Sequence, residues 1–552
     1  MLQRNSNFTN IMAQTETIGN NVCHMIARLG ADYGVRHIVV SPGTRSAPLV
    51  VSLNRSGLFD MHTVIDERCA AFMALGMSLH LEEPVILVCT SGSAIMNYGP
   101  AFAEAYYRHV PLIAVTADRP ERWIDQLDSQ TMRQPGALAA VVRRTVDIPA
   151  AACRDRDLFD KANRDVNEAF DTAITAPRGP VHINVHIDLF SGEGRRASDE
   201  DACQPEKSFV PRYIPTVHTG ATVSDYLEIV KKFQSSRILV VFGDTRKMSI
   251  EGPELQIPLL GEAQSKIAGH CLLAGLCDRF LDEAPTPDIV VTMGGSLVSA
   301  RLKKWLRGLE NVTHIHVGRE DHIPDTFGHI DGVIKCEPAE FLKALYFSHV
   351  GDSSFFFKWF DFYNSASART YGIAQSHHVT ALLDKLFRNF NGKIHVSNGS
   401  AIRYAQTAGL HDIFCNRGIS GIDGCTSTAL GAAIADRSAV MLITGDMSFA
   451  YDIGALGAAV APPGFRIVVL DNNGGDIFRN IATTASLPER DRFFVAPPAL
   501  PLRQLAQAYG YEYYEYNCDE PDESTAAGFL ARTSAPRILR VIINPEHTKN
   551  LL

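Results

Sequence analysis

With 552 residues the chain has room for two to four domains of ordinary size, and its 46% hydrophobic and 20% charged content suits a globular protein with an ample core. Lys and Arg number 52 against 61 Asp and Glu, a net charge of −9 that, with no long basic run, argues against a broad nucleic-acid surface. No apolar stretch is long enough to span a bilayer, and Met1–Asn7 lacks the apolar core of a signal peptide, so the cytoplasm is the expected compartment.

The first elements alternate between helix and strand. Ile18, Val22, Ile26 and Leu29 share one face of an amphipathic helix over residues 16–30. A buried-type strand, His37–Ser41, then runs into Pro42-Gly43-Thr44-Arg45-Ser46, a glycine turn before a helix. There N–H groups and the Arg45 guanidinium can face an anion, although a plain strand-to-helix loop reads the same way. Thr63–Ile65 feeds an alanine-rich helix that begins near Asp66-Glu67, where a carboxylate can equally be a cap. The strands in Pro84–Ser93 and Pro111–Pro120 also end in polar loops, and Pro180–His186 closes the set. Such strands predict one parallel sheet with a shared ligand-binding edge.

Residues 191–210 are polar and read as a linker. A second α/β unit, 211–370, is carried by Arg237–Gly243, Pro287–Gly295 and Thr313–Gly318 and a helix near 338–347. Its Gly294-Gly295-Ser296 lacks the spacing of a dinucleotide fingerprint, so the unit reads as structural with one polar edge. A third unit, 371–552, has strands at Lys393–Ser397, Asp412–Cys415, Ala439–Ile443, Ile467–Leu470 and Arg537–Ile543. His377 and His378 there read as surface or capping residues. The eleven cysteines include no Cys-x-x-Cys pair, so they read as small buried hydrophobes in a reducing compartment and not as zinc ligands.

Two polar clusters in the third unit stand out. The strand Ala439–Ile443 ends in Gly445-Asp446-Met447, and Ile467–Leu470 ends in Asp471-Asn472-Asn473-Gly474-Gly475, with a helix-length segment between them. Both clusters fall at strand C-termini, where open α/β sheets bind ligands. Asp446 offers a carboxylate oxygen, Asn473 an amide oxygen and Gly475 a backbone carbonyl. So sparse an all-oxygen set suits Mg²⁺ that completes its shell from water and phosphates. An ordinary βαβ crossover with polar turns fits the same residues.

The order of these features resembles thiamine-diphosphate enzymes of the 2-oxoacid decarboxylase type along essentially the whole chain. The segments Ser41–Pro48, Asp66–Phe72, Thr116–Glu121, Arg133–Gly136 and Asn416–Gly424 are similar to the branch of that family that joins 2-oxoglutarate to isochorismate in menaquinone biosynthesis. The resemblance implies three doubly wound parallel-sheet α/β domains: an aminopyrimidine-binding domain (1–190), a central domain (211–370) after the linker, and a diphosphate-binding domain (371–552). It implies thiamine diphosphate with Mg²⁺ or Mn²⁺, held by Asp446, Asn473 and the Gly475 carbonyl, with Ser420, Gly421, Ile422, Met447 and Ser448 against the cofactor. Glu67 falls where the family places the glutamate that shares a proton with the aminopyrimidine ring, and Ile422 where an apolar wedge bends the cofactor.

The same resemblance implies decarboxylation of 2-oxoglutarate and 1,4-addition of the four-carbon unit to isochorismate. These two acids bring four carboxylates between them and call for guanidinium forks. Thr44, Arg45, Arg119, Gln130, Arg301, Arg403, Arg417, Ile477 and Phe478 fall at the family's substrate positions. Three departures bear on individual contacts. Ala300 stands where some relatives carry Lys, Ser129 replaces an Asn before Gln130, and the serine after Asn398-Gly399 comes one place late, at Ser400. A homodimer or dimer of dimers is implied, because the family builds each site from Glu67 of one chain and Asp446 of another. Another carboligase of the same cofactor class remains the alternative from sequence, and a scaffold without chemistry a more remote one.

Overall fold

The computed structural model describes residues 21–188, 209–213, 233–249, 256–268, 271–320 and 323–548. Ile18 of the expected first helix and nearly all of the expected linker lie outside them; the helix itself is described as Asn21–Asp32.

Strands β1 (His37–Val40), β2 (Asp60–Thr63), β3 (Val85–Cys89), β4 (Leu112–Asp118), β5 (Arg144–Ile148) and β6 (Val181–His186) form a parallel sheet in the order β2-β1-β3-β4-β6-β5. β1, β3, β4 and β6 are buried along their whole length, as near-continuous apolar strands covered on both faces require. Helices Asn21–Asp32 and Arg156–Ile174 cover one face with Val22, Ile26, Phe159, Val166 and Phe170.

A second sheet contains β7 (Ile238–Phe242), β9 (Leu259–Gly261), β11 (Leu272–Leu273), β12 (Ile289–Met293), β13 (Thr313–Gly318) and β14 (Ile330–Lys335), in the order β11-β9-β7-β12-β13-β14. The short β8 (Met248–Ser249) and β10 (Ile267–Ala268) pair separately. The third sheet contains β15 (Lys393–Val396), β16 (Val440–Gly445), β17 (Phe465–Asp471), β18 (Glu512–Asn517) and β19 (Arg537–Ile542), in the order β15-β16-β17-β19-β18. The α/β class and three parallel sheets match the expectation. Asp412–Cys415 does not: it makes a single bridge between Phe414 and His395 and no strand.

Contact density divides the chain into two units. One comprises Met1–His218 with Thr426–Arg437 and Asp452–Ala461; the other comprises Thr219–Cys425, Ser438–Tyr451 and Pro462–Leu552. In the first unit, helix Cys425–Asp436 crosses helix Glu67–Leu81 at two glycines. A Cβ on Gly76 would lie 1.9 Å from the Thr428 carbonyl oxygen, and one on Gly431 would lie 2.1 Å from that of Met73. Only glycine permits so close a crossing. Beside it the buried Asp452 carboxylate accepts from Ser427 N–H (2.6 Å) and Oγ (2.9 Å) and lies 3.8 Å from Cys69 Sγ, which fixes the start of the Glu67 helix. Among the described residues no helix is long and apolar enough to cross a membrane.

Candidate active site

In the first unit the residues singled out from sequence gather at the C-terminal edge of the sheet. Glu67 is the first residue of its helix and half-buried. The preceding Asp66 caps that helix, its carboxylate accepting from Arg68 N–H (2.9 Å) and Cys69 N–H (3.1 Å). The capping role that Glu67 could have filled therefore belongs to its neighbour. Beyond β1, Thr44 is exposed and Arg45 is buried, donating to the Ile187 carbonyl at 2.9 Å. Burial, and then the nearby Arg119 charge, hold the Arg45 guanidinium below its ordinary range. Arg119, at the end of β4, pairs with Asp128 (3.0 Å) and reaches Ser129 Oγ (3.4 Å). Gln130 is exposed, on left-handed backbone (φ 53°).

Beneath these arginines lies a largely buried polar network that joins Thr116, Asp118 and Gln134, from two of the family-like segments, to Asn184, His186 and the more exposed Asp147. The Asn184 amide donates to Asp118 (3.0 Å) and Asp147 (2.9 Å), and its oxygen accepts from Thr116 (2.9 Å) and Gln134 (2.9 Å). Gln134 in turn accepts the Gly92 N–H at 2.7 Å. His186 Nδ1 donates to the Arg119 carbonyl at 2.5 Å, and its Nε2 stands 3.1 Å from Asp147. Burial alone would lower the His186 pKa; the bonds to Asp147 and the Arg119 carbonyl, with the Asp147 and Asp118 charges, outweigh it and push it up to about 9.

In the second unit the two polar clusters meet. Asp446, only 2% exposed, follows β16, and its carboxylate accepts from Gly474 N–H (2.7 Å) and Met447 N–H (2.7 Å). Asn473 is exposed and left-handed (φ 60°), and the Gly475 carbonyl accepts from Phe478 N–H at 3.0 Å, leaving one lone pair. Ser448 Oγ donates to the Ile422 carbonyl (2.6 Å), which brings Ser420-Gly421-Ile422 beside the carboxylate; Met447 and Ile422 are both half-buried. Ile477 and Phe478 begin the next helical turn and are half-buried, with the Phe478 ring 5.8 Å from Phe494.

The chemistry of these donors fits a divalent cation. Among the described residues no cluster of three or more His, Cys, Asp or Glu side chains could hold a metal by itself, and no Lys or Arg pairs with Asp446. Burial pushes the Asp446 carboxyl up to about 7 against its two amide donors, with Asp471 adding repulsion. A buried carboxylate without a cation, beside an amide and a free carbonyl lone pair, suits a Mg²⁺ whose other ligands come from a diphosphate.

The same unit holds the other arginines. Arg417 is buried, donating to Asn398 Oδ1 (2.8 Å) and the Leu297 carbonyl (3.0 Å). The Asn398 amide donates to the Gly421 carbonyl (2.6 Å) and so ties this arginine to the 420–422 segment. Arg403 donates to the Gly399 carbonyl (2.5 Å) and, with Arg301, Ala300, Ser299 and Gln406, lines a cavity of about 210 Å³. Arg301 lies 4.0 Å from Asp278. Glu262 carries no mark in the sequence, where an isolated glutamate reads as surface. It is fully buried and accepts from Val298 N–H (2.5 Å), Ser299 N–H (2.7 Å) and Gln264 (2.9 Å), fixing the loop before Ala300.

Comparison with known proteins shows the family. Residues 20–137 match the thiamine pyrophosphate enzyme N-terminal TPP binding domain, and 397–536 match the C-terminal TPP binding domain. The 2-succinyl-5-enolpyruvyl-6-hydroxy-3-cyclohexene-1-carboxylate synthase of Cytophaga hutchinsonii is 34% identical, over 87% of this chain and 88% of its own length. The chain belongs to this synthase family. Synthases of the same name from Desulfotalea psychrophila (32% identical, 93% and 96% covered) and Porphyromonas gingivalis (33%, 92% of each) are similar along the same extent. The family is one of thiamine-diphosphate enzymes, so the Asp446 turn and the Glu67 helix lie in its two cofactor-binding domains.

Proposed function

We infer that this chain is a thiamine-diphosphate-dependent synthase. It decarboxylates 2-oxoglutarate and adds the four-carbon unit to isochorismate, giving 2-succinyl-5-enolpyruvyl-6-hydroxy-3-cyclohexene-1-carboxylate and CO₂ in menaquinone biosynthesis. One observation carries this reading: the likeness to synthases of that name runs nearly end to end. When bound, thiamine diphosphate supplies the electron sink that makes loss of CO₂ from a 2-oxoacid feasible.

The chain's own residues then have assignable work. Asp446, Asn473 and the Gly475 carbonyl hold Mg²⁺ or Mn²⁺. Ser420, Gly421, Ile422, Met447 and Ser448 line the cofactor, and Glu67 moves a proton at the aminopyrimidine ring. Thr44, Arg45, Arg119, Gln130, Arg301, Arg403 and Arg417 meet the four substrate carboxylates, with Ile477 and Phe478 as apolar wall. The working form is a homodimer or dimer of dimers. None of the ten described cysteines forms a disulfide, which suits the reducing cytoplasm. The test is product analysis with 2-oxoglutarate in the presence and absence of isochorismate. The adduct is expected when both are present; free succinic semialdehyde as sole product would overturn the assignment.

A further inference from the structure

Helix Ala300–Arg307 starts at Ser299, whose Oγ accepts the Leu302 N–H at 3.0 Å. Ala300 is exposed and lines the cavity, where it supplies no cation. One helical turn on, and therefore on the same face, is the half-buried Lys303. Its Nζ donates to the Leu297 carbonyl at 3.3 Å, the same oxygen that takes Arg417 Nη2 at 3.0 Å. An ammonium and a guanidinium thus converge on one neutral acceptor.

No carboxylate among the described residues pairs with them directly, and Glu262 offsets them without an ion pair. Among the described residues no carboxylate lies within 4.0 Å of the charged nitrogens of Lys303, Arg403 or Arg417, whereas Arg301 has Asp278. The nearby Glu262 spends its oxygens on the Val298 and Ser299 amides and on Gln264. Arg417 Nε is buried without a partner. Burial and then the Arg417 charge lower the Lys303 pKa, with Glu262 opposing. Like charges held this close favour an incoming anion.

We propose that Lys303 binds a substrate carboxylate beside Arg417 and Arg403. This rests on the synthase reading. The carboxylate can come from 2-oxoglutarate or from isochorismate, and separate titrations of the two acids tell them apart.

The experiment measures KM for each acid, with the other saturating, in wild type and in Lys303→Gln, Lys303→Arg and the double variant Ala300→Lys/Lys303→Gln. Lys303→Gln raises KM for one acid by about tenfold or more while kcat stays within about threefold, since a charge-assisted hydrogen bond is lost. Lys303→Arg stays within about threefold of wild type, and the double variant regains affinity. Equilibrium dialysis of each acid, with the cofactor omitted, gives the same order of affinities. If Lys303→Gln does not fold, Lys303→Met, which keeps the apolar stem, takes its place.

A Lys303→Gln enzyme with both KM values within about twofold of wild type overturns the proposal, as does Lys303→Arg as impaired as Lys303→Gln. A wild type that neither binds nor consumes the two acids overturns the synthase reading, and this proposal with it. A wild type that turns both over while Lys303→Gln is unmoved overturns the role of Lys303 alone.

Discussion

Asp446 and Gly474 depend on each other. The Gly474 N–H donates to the Asp446 carboxylate, and Gly474 holds φ at 109°, where a Cβ would lie 2.3 Å from the Val495 carbonyl oxygen. Gly474→Ala therefore has no strain-free way to keep the turn, and a residue forced into such backbone costs about 1–3 kcal/mol. Its expected effect is a loss of Mg²⁺-dependent thiamine diphosphate binding by about tenfold or more, read by calorimetry; binding at wild-type strength would contradict the cradle. Glu67 has a different role, because Asp66 already caps its helix. Glu67→Gln should keep cofactor affinity within a few-fold and lose about 10²–10⁴ in turnover, the range of a positioned acid–base group. A near-normal rate in that variant would remove Glu67 from the chemistry. The polar residues that end apolar strands, Asp446 and Asn473 among them, were readable in the sequence because the strand before each is an unbroken apolar run. Glu262 and Asn184 were not, since a buried polar contact leaves no periodic trace.

At the scale of elements, β4 and β6 carry the arginine loop through His186, which donates to the Arg119 carbonyl and faces Asp147 and Asp118, with His182 on the same strand. With its folded pKa near 9, above the ordinary 6.5, protonated His186 contributes stability that is full below about pH 6.5 and is lost as pH rises through about 9. Thermal unfolding midpoints of wild type and His186→Asn should thus differ most near pH 6 and converge by about pH 10. A gap independent of pH would mean that the imidazole is neutral throughout. The KM for an acid held by Arg119 should rise in the same variant. The strands that carry this network were legible as apolar runs, being interior to their sheets and covered on both faces. β5, β14 and β18 were not: each is an edge strand with half-exposed positions, as in the Tyr- and Glu-rich Glu512–Asn517, so its sequence has no reason to be continuously apolar.

For the molecule as a whole, three parallel sheets could be anticipated from recurring strand-and-helix alternation, but assembly state has no such periodic mark and must be argued from surfaces. Apolar side chains stand exposed beside residues assigned to the site in each unit. Ile65, two residues before Glu67, is 80% exposed, and Ile419, next to Ser420, is 44% exposed. Large apolar side chains next to functional residues are costly to leave in water and suit burial against a second copy. If Glu67 of one chain works with Asp446 of another, activity requires that association. Sedimentation velocity at assay concentration should then give a dimer or larger species. Ile65→Glu should shift it toward monomer, and specific activity should fall with the dimer fraction and recover on raising protein concentration. A fully active monomer, in wild type or in Ile65→Glu, would mean that one chain completes its own site.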